Sequence, residues 1–210
     1  MLTIKFDILS KSSKYVRKTI PRYFKDCFVS LLLYYITMSL IYITGPWGAG
    51  KSTTTPLLNE RGFEAHDADV ELCSWYNRET RMKVEYPRLA KDRPAGWQEL
   101  HTFQMDEELV KKLYERSKDT TIFILGNCGN ELEIAEKYFD KVLCLEIDED
   151  TMVKRLLSRT TNKYGKDPDQ MAIIRKWYKP RMDQYKDYGA IMIDSTQPLE
   201  KVIDQILSLV

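Results

Sequence analysis

From residue 40 onward, short apolar runs alternate with longer stretches whose apolar positions recur at helical spacing. Residues 40–44 (LIYIT) predict a short buried strand, and 51–59 predict a helix that contains Pro56, a residue that kinks helices. A second short strand is expected at 63–66. A long, mostly helical stretch follows, broken by Pro87 and by Pro94-Ala95-Gly96. It ends in an amphipathic helix near 106–116, with Leu109, Val110 and Leu113 on one face. Residues 121–125 (TIFIL) and 142–147 (VLCLEI) read as strands, and Asp148 as the N-cap of a helix through about Arg159. Another helix around 170–185, a strand at 190–194 and a final helix from Leu199 complete the chain. In that last helix Val202, Ile203, Ile206 and Leu207 share a face. Five strands alternating with helices predict an α/β fold, a three-layer sandwich whose five-stranded parallel sheet carries helices on both faces. Neither an internal repeat nor a second domain is visible.

The front of the chain departs from this pattern. Residues 1–37 carry seven basic residues (Lys5, Lys11, Lys14, Arg17, Lys18, Arg22 and Lys25) against Asp7 and Asp26, a net charge of +5. They lead into 18 uncharged, mostly apolar residues, 27–44. That order resembles a signal anchor, but residues 40–44 are needed as a strand. The dozen or so residues left are too few to cross a hydrocarbon core of ~30 Å. No small-residue cleavage site follows. Two readings stay open: a basic appendage that docks on the domain or touches an anionic surface, or a misplaced reading-frame extension with Met38 as the biological start. The second is favoured because MSLIYITG is a complete beginning for the domain at 38–210. The whole chain of 210 residues balances 32 basic against 31 acidic side chains, so no overall field argues for a nucleic-acid polymer or a membrane as partner. The 4 cysteines, Cys27, Cys73, Cys128 and Cys144, form no CxxC pair, which points to reduced thiols in a cytoplasm.

The chemistry centres on Gly45-Pro46-Trp47-Gly48-Ala49-Gly50-Lys51-Ser52, which matches GxxxxGK[ST] between a strand and a helix. Glycines let main-chain N–H groups turn inward around phosphates, and the helix N-terminus adds the positive end of its dipole. Lys51 is expected to bridge the β- and γ-phosphates of ATP, Ser52 to offer its hydroxyl to Mg²⁺, and Thr53 to join the same cradle. A GTPase would show Asn-Lys-x-Asp, but Asn162-Lys163-Tyr164-Gly165 lacks the aspartate. A motor or AAA-type ATPase would show four apolar residues before Asp-Glu, whereas Glu146 interrupts that run and Asp148-Glu149-Asp150 reads as helix capping.

Over residues 38–210 the sequence resembles the adenylate kinase-like P-loop kinases, especially the branch holding shikimate, gluconate, nucleoside and nucleotide kinases. The resemblance implies that Asp67 assists Mg²⁺ and that Asp69 contacts the acceptor hydroxyl; a turn and N-cap is the alternative for either. In the loop 126–130, Gly126, Asn127 and Asn130 are implied on the acceptor, with Cys128 read as a packed thiol. Arg155 and Arg159, at i and i+4, are implied to stack on adenine and to clamp phosphates, the alternative being a solvated basic face. Residues 160–169, with Lys163 and Lys166, resemble a short lid, and residues 194–198, with Gln197 and Pro198, resemble the loop whose backbone recognises adenine. The acceptor region holds Trp75, Tyr76, Tyr86 and Trp97 with Arg78, Arg81, Lys83, Arg88, Lys91 and Arg93. These residues fit either a site for a nucleobase and an anion or core aromatics beside a solvated face. No shikimate-type arginine pattern is visible among them. The expected activity is transfer of the ATP γ-phosphoryl group to a hydroxyl or phosphate of a small metabolite; the alternative is an ATPase or nucleotide-dependent switch with no acceptor.

Overall fold

The computed structural model describes residues 39–87, 94, 96–161 and 163–210. The extension at 1–37, Met38, Arg88, Lys91, Arg93 and Asn162 lie outside the described residues. In chain order the elements are β1 (Leu40–Thr44), α1 (Lys51–Glu60), β2 (Glu64–Asp67), α2 (Ala68–Glu71), β3 (Cys73–Asn77) and β4 (Lys83–Val84). There follow α3 (Trp97–Leu100), β5 (His101–Met105), α4 (Glu107–Arg116), β6 (Ile122–Leu125), α5 (Glu131–Tyr138) and β7 (Lys141–Glu146). The last four are α6 (Glu149–Ser158), α7 (Pro168–Tyr188), β8 (Ile191–Asp194) and α8 (Leu199–Leu207).

The expected five-stranded parallel sheet is present, in the order β2-β6-β1-β7-β8. Its central strand β1 is buried along its whole length, the condition in which a parallel strand reads as a continuous apolar run. Alternation divides that strand between two cores. Leu40 and Tyr42 pack with Val110, Ile122, Ile124 and Tyr185, and Ile41 and Ile43 pack with Leu58, Phe123, Leu143 and Ile203. Asp148 caps α6 as expected, accepting from the Thr151 amide at 2.7 Å. On α8, Val202, Ile203 and Ile206 are buried. The second strand lies one residue later than expected, at Glu64–Asp67. Phe63 instead meets Phe123 edge-on, with ring centroids 5.5 Å apart.

The stretch expected to be mostly helical after β2 is the clear departure. Its described residues fold as a second, antiparallel sheet in the order β4-β3-β5, with α2 and α3 as short helices. Aromatic and β-branched side chains favour this: Trp75 of β3 lies opposite Phe103 of β5, with ring centroids 5.3 Å apart. The Asn77 carboxamide oxygen builds the following turn by accepting from the amides of Glu79 (3.0 Å) and Thr80 (2.9 Å), and Arg81 completes it at φ 59°. Trp75, Tyr86, Trp97 and Phe103 form one aromatic cluster, in which Trp97 is buried and the other three rings are half-buried. Among the described residues no helix is long and apolar enough to cross a membrane.

Candidate active site

The glycine loop lies between β1 and α1, where the sequence pattern put it. Gly45 (φ 145°), Gly48 (77°) and Gly50 (103°) all have positive φ. At Gly45 glycine is obligatory, since a Cβ would stand 2.5 Å from the Leu145 carbonyl oxygen on the neighbouring strand. The Lys51 ammonium curls back into the loop and donates to the carbonyls of Gly45 (2.7 Å) and Pro46 (3.1 Å). Burial lowers its pKa, and the carboxylate of Asp69 leads the charges that oppose the shift.

Residues 47–53 line one side of a cleft of about 560 Å³, which takes in the expected positions Trp47, Gly48, Ala49, Gly50, Lys51, Ser52 and Thr53. Asp69, Arg155, Arg159 and Gln197 line it as well, a grouping drawn from α2, α6 with its C-cap, and the loop after β8. Arg155 on α6 donates to the carbonyls of Gly48 (3.2 Å) and Ser195 (2.8 Å), and the Ser195 hydroxyl donates to the Ala49 carbonyl at 2.5 Å. Together they tie the phosphate loop to the loop after β8. Arg159 donates to the Tyr164 carbonyl at 2.6 Å, and burial pulls the pKa of its guanidinium down. Gln197 donates to Asp194 at 3.0 Å and faces the cleft. Pro198 does not line it; this residue stands at the N-cap of α8 and its carbonyl accepts from Lys201 at 2.9 Å.

The two carboxylates at the end of β2 separate into different roles. Asp67 caps α2 by accepting from the Asp69 amide at 3.0 Å, so the N-cap alternative describes its geometry. Asp69 is open to the cleft and accepts from the Asn127 amide at 3.3 Å. The protein around each of them pushes its carboxyl above the usual range; for Asp69 the Lys51 ammonium pulls in the opposite direction. Gly126 makes this approach possible, because a Cβ there would meet the Ala68 Cβ at 2.6 Å. The Asn127 side chain donates to the Gly45 carbonyl (3.2 Å) and to the Tyr185 hydroxyl (3.0 Å). Asn130 pins the loop to β5: its carboxamide oxygen accepts from the Met105 amide at 2.9 Å and from the Cys128 thiol at 3.3 Å, and its Nδ2 donates to the Met105 carbonyl at 3.0 Å. It does not line the cleft. Cys128 is buried, as expected of a packed thiol.

The sequence pattern did not single out the Ser195 side-chain bond to the phosphate loop, nor a buried polar group formed by Tyr42, Thr44, Glu131, Arg181 and Tyr185. The signal available was the pair of hydroxyls, Tyr42 and Thr44, on a strand that must be buried, because a buried hydroxyl needs a partner.

Comparison with known proteins agrees with this geometry. A family model described as "AAA domain" matches residues 41–176, and the chain belongs to that family of P-loop proteins. It is 24% identical over 194 residues to a dephospho-CoA kinase from Streptococcus agalactiae, covering 80% of this chain and 95% of that one. It is 25% identical over 207 residues to a deoxyguanosine kinase from Lactobacillus johnsonii, covering 81% and 92%. Among solved structures it superposes on shikimate kinase from Acinetobacter baumannii with a TM-score of 0.55 and 21% identity over 82% of this chain and 93% of that one, a likeness of fold. The chain is an ATP-dependent phosphotransferase of the adenylate kinase-like P-loop kinases, a class that works on small molecules.

Proposed function

We propose that this kinase moves the γ-phosphoryl group of Mg²⁺–ATP to a hydroxyl of a small metabolite, with Asp69 as the base. The observation that carries this reading is the cleft itself, where Asp69 lies in one 560 Å³ space with Lys51 and Arg159. A carboxylate with a raised pKa, open to that space, suits removal of a hydroxyl proton. A phosphate acceptor needs no such base and would meet a like charge there. The acceptor oxygen attacks the γ-phosphorus as Asp69 takes its proton. The bond from that phosphorus to the β–γ bridging oxygen breaks, and ADP leaves. Lys51 and the main-chain amides of residues 47–53 neutralise the β- and γ-phosphates, and Arg159 meets charge that builds on the transferred group. Arg155 and Gln197 fit the base end of the nucleotide.

Among the described residues no cluster of His, Cys, Asp and Glu could hold a metal ion by itself. The donors on offer, the Ser52 hydroxyl and the carboxylates of Asp67 and Asp69, are hard oxygens that suit magnesium completed by nucleotide oxygens and water. Ser52 and Asp67 would hold it, and it would supply charge neutralisation between the β- and γ-phosphates. The same reading takes 38–210 as the catalytic domain and the cytoplasm as its location, with neither a nucleic-acid polymer nor a membrane as partner.

The test is a screen with γ-labelled ATP over nucleosides, nucleoside monophosphates and polyol acids. Label should appear on one hydroxyl-bearing class, about 10²-fold more slowly in Asp69→Asn. Label found only as free phosphate, at a rate indifferent to every acceptor, contradicts the proposal.

A further inference from the structure

Glu131 opens α5 with only 2% of its surface exposed, and its carboxylate accepts four hydrogen bonds. Tyr42 (2.6 Å) and Thr44 (3.1 Å) donate to Oε2, and Tyr185 (2.7 Å) and Arg181 (2.5 Å) donate to Oε1. Both oxygens are thus saturated by donors from β1 and α7, which makes the group a rigid anchor behind the glycine loop. The network also runs outward. The Tyr185 hydroxyl, donating to Glu131, accepts from Nδ2 of Asn127 at 3.0 Å, and the same Nδ2 reaches the Gly45 carbonyl at 3.2 Å. That carbonyl is also where the Lys51 ammonium rests, at 2.7 Å. The main-chain amide of Asn127 donates to Asp69 at 3.3 Å. One residue therefore touches the first carbonyl of the phosphate loop with its side chain and the cleft carboxylate with its backbone.

The Lys51 ammonium carries three N–H groups and gives two of them to the carbonyls of Gly45 and Pro46, so it can donate to two phosphate oxygens of ATP only by releasing at least one of those carbonyls. A released carbonyl left without another donor would oppose the move. We infer that Asn127, anchored through Tyr185 on Glu131, is a positioning residue that keeps the Gly45 carbonyl bonded while Lys51 goes to the phosphates, holding the phosphate loop in register with Asp69. This role rests on the kinase reading of the cleft. It differs from a purely structural role in one measurable way: it changes the affinity of folded protein for ATP, not only the unfolding temperature.

Asn127→Ala removes the carboxamide and leaves the amide on Asp69. Tyr185→Phe removes a single hydroxyl at nearly constant shape, so it keeps the question open to experiment even where the alanine variant fails to fold. Calorimetric titration with Mg²⁺–ATP is expected to show affinity about 10-fold weaker in Asn127→Ala and about 3-fold weaker in Tyr185→Phe. The double variant should be no weaker than Asn127→Ala, because both changes cut one chain of bonds. Affinities within twofold of the unaltered protein in both single variants, whatever the unfolding midpoint does, overturn the inference, and so do losses that multiply in the double variant. Absence of binding by the unaltered protein would bring down the kinase reading and this role with it, so the two failures are told apart.

Discussion

Main-chain geometry forms the phosphate side of the cleft, whereas side-chain packing forms the antiparallel sheet that follows β2. Around Lys51 the key contacts are carbonyls, amides and positive φ angles, and the arginine and serine that stabilise the loop, Arg155 and Ser195, bond back to main chain. In the β4-β3-β5 sheet the contacts are rings on rings: Trp75, Tyr86, Trp97 and Phe103, with centroid separations of 4.9 to 5.3 Å. Residue identity is tightly constrained in the first region, because a Cβ at Gly45 has no space. The second tolerates exchange of one apolar shape for another.

Five changes probe this contrast. The largest effect is expected from Lys51→Ala, which should lower phosphoryl transfer by about 10³-fold in the labelled-ATP assay while the unfolding midpoint stays nearly fixed. Asp69→Asn should cost about 10²-fold in kcat with little change in the KM for ATP, and Asp67→Asn a smaller loss that added magnesium relieves, since Asp67 caps α2 and would hold the metal. Steady-state kinetics of the pair would reverse this ranking if Asp67 were the base. Gly45→Ala should destabilise by about 1–3 kcal/mol in urea unfolding, because the added methyl meets a carbonyl and not a movable side chain. Trp75→Ala should cost a similar amount but leave ATP affinity within twofold and raise the KM of the acceptor. An equal loss of ATP affinity would show that the two regions are not separate.

The smallest effect concerns His66 at the end of β2. Burial opposes its charge, but its bonds to Glu71 (2.6 Å) and Glu64 (2.7 Å) outweigh that and raise its pKa. A raised folded-state pKa means the stabilisation is fully present below the unfolded value of about 6.5 and is lost as pH rises through the folded value. Thermal midpoints compared between the unaltered protein and His66→Asn should converge as pH rises above 6.5.

The same contrast explains what the sequence made legible. A central strand buried on both faces announces itself as an apolar run, a phosphate loop announces itself by spacing, and Asp148 by its place before Glu149 and Asp150. The strands β3 and β5 do not, for their residues are mostly half-buried and pair across a long intervening segment; local periodicity carries no trace of that partnership. The resemblance gives Asp67 and Asp69 different roles, but the sequence leaves open which of them is a cap, because an i, i+2 carboxylate pair suits a helix cap and a cleft equally. Asn130 and Pro198 occupy the expected loops yet serve them structurally, since a polar or rigid residue near a cleft can stabilise main chain as readily as ligand. Glu131 was invisible because its donors come from β1 and α7, 87 and 89 positions upstream and 50 and 54 downstream.

Everything proposed for the cleft requires the Lys51 loop to hold the triphosphate of ATP. Calorimetric titration of the unaltered protein and of Lys51→Ala with ATP in excess magnesium tests this most directly. Saturable binding to one site, weakened at least about tenfold by the substitution, is the predicted result. No heat of binding, or equal affinity in both proteins, would contradict it.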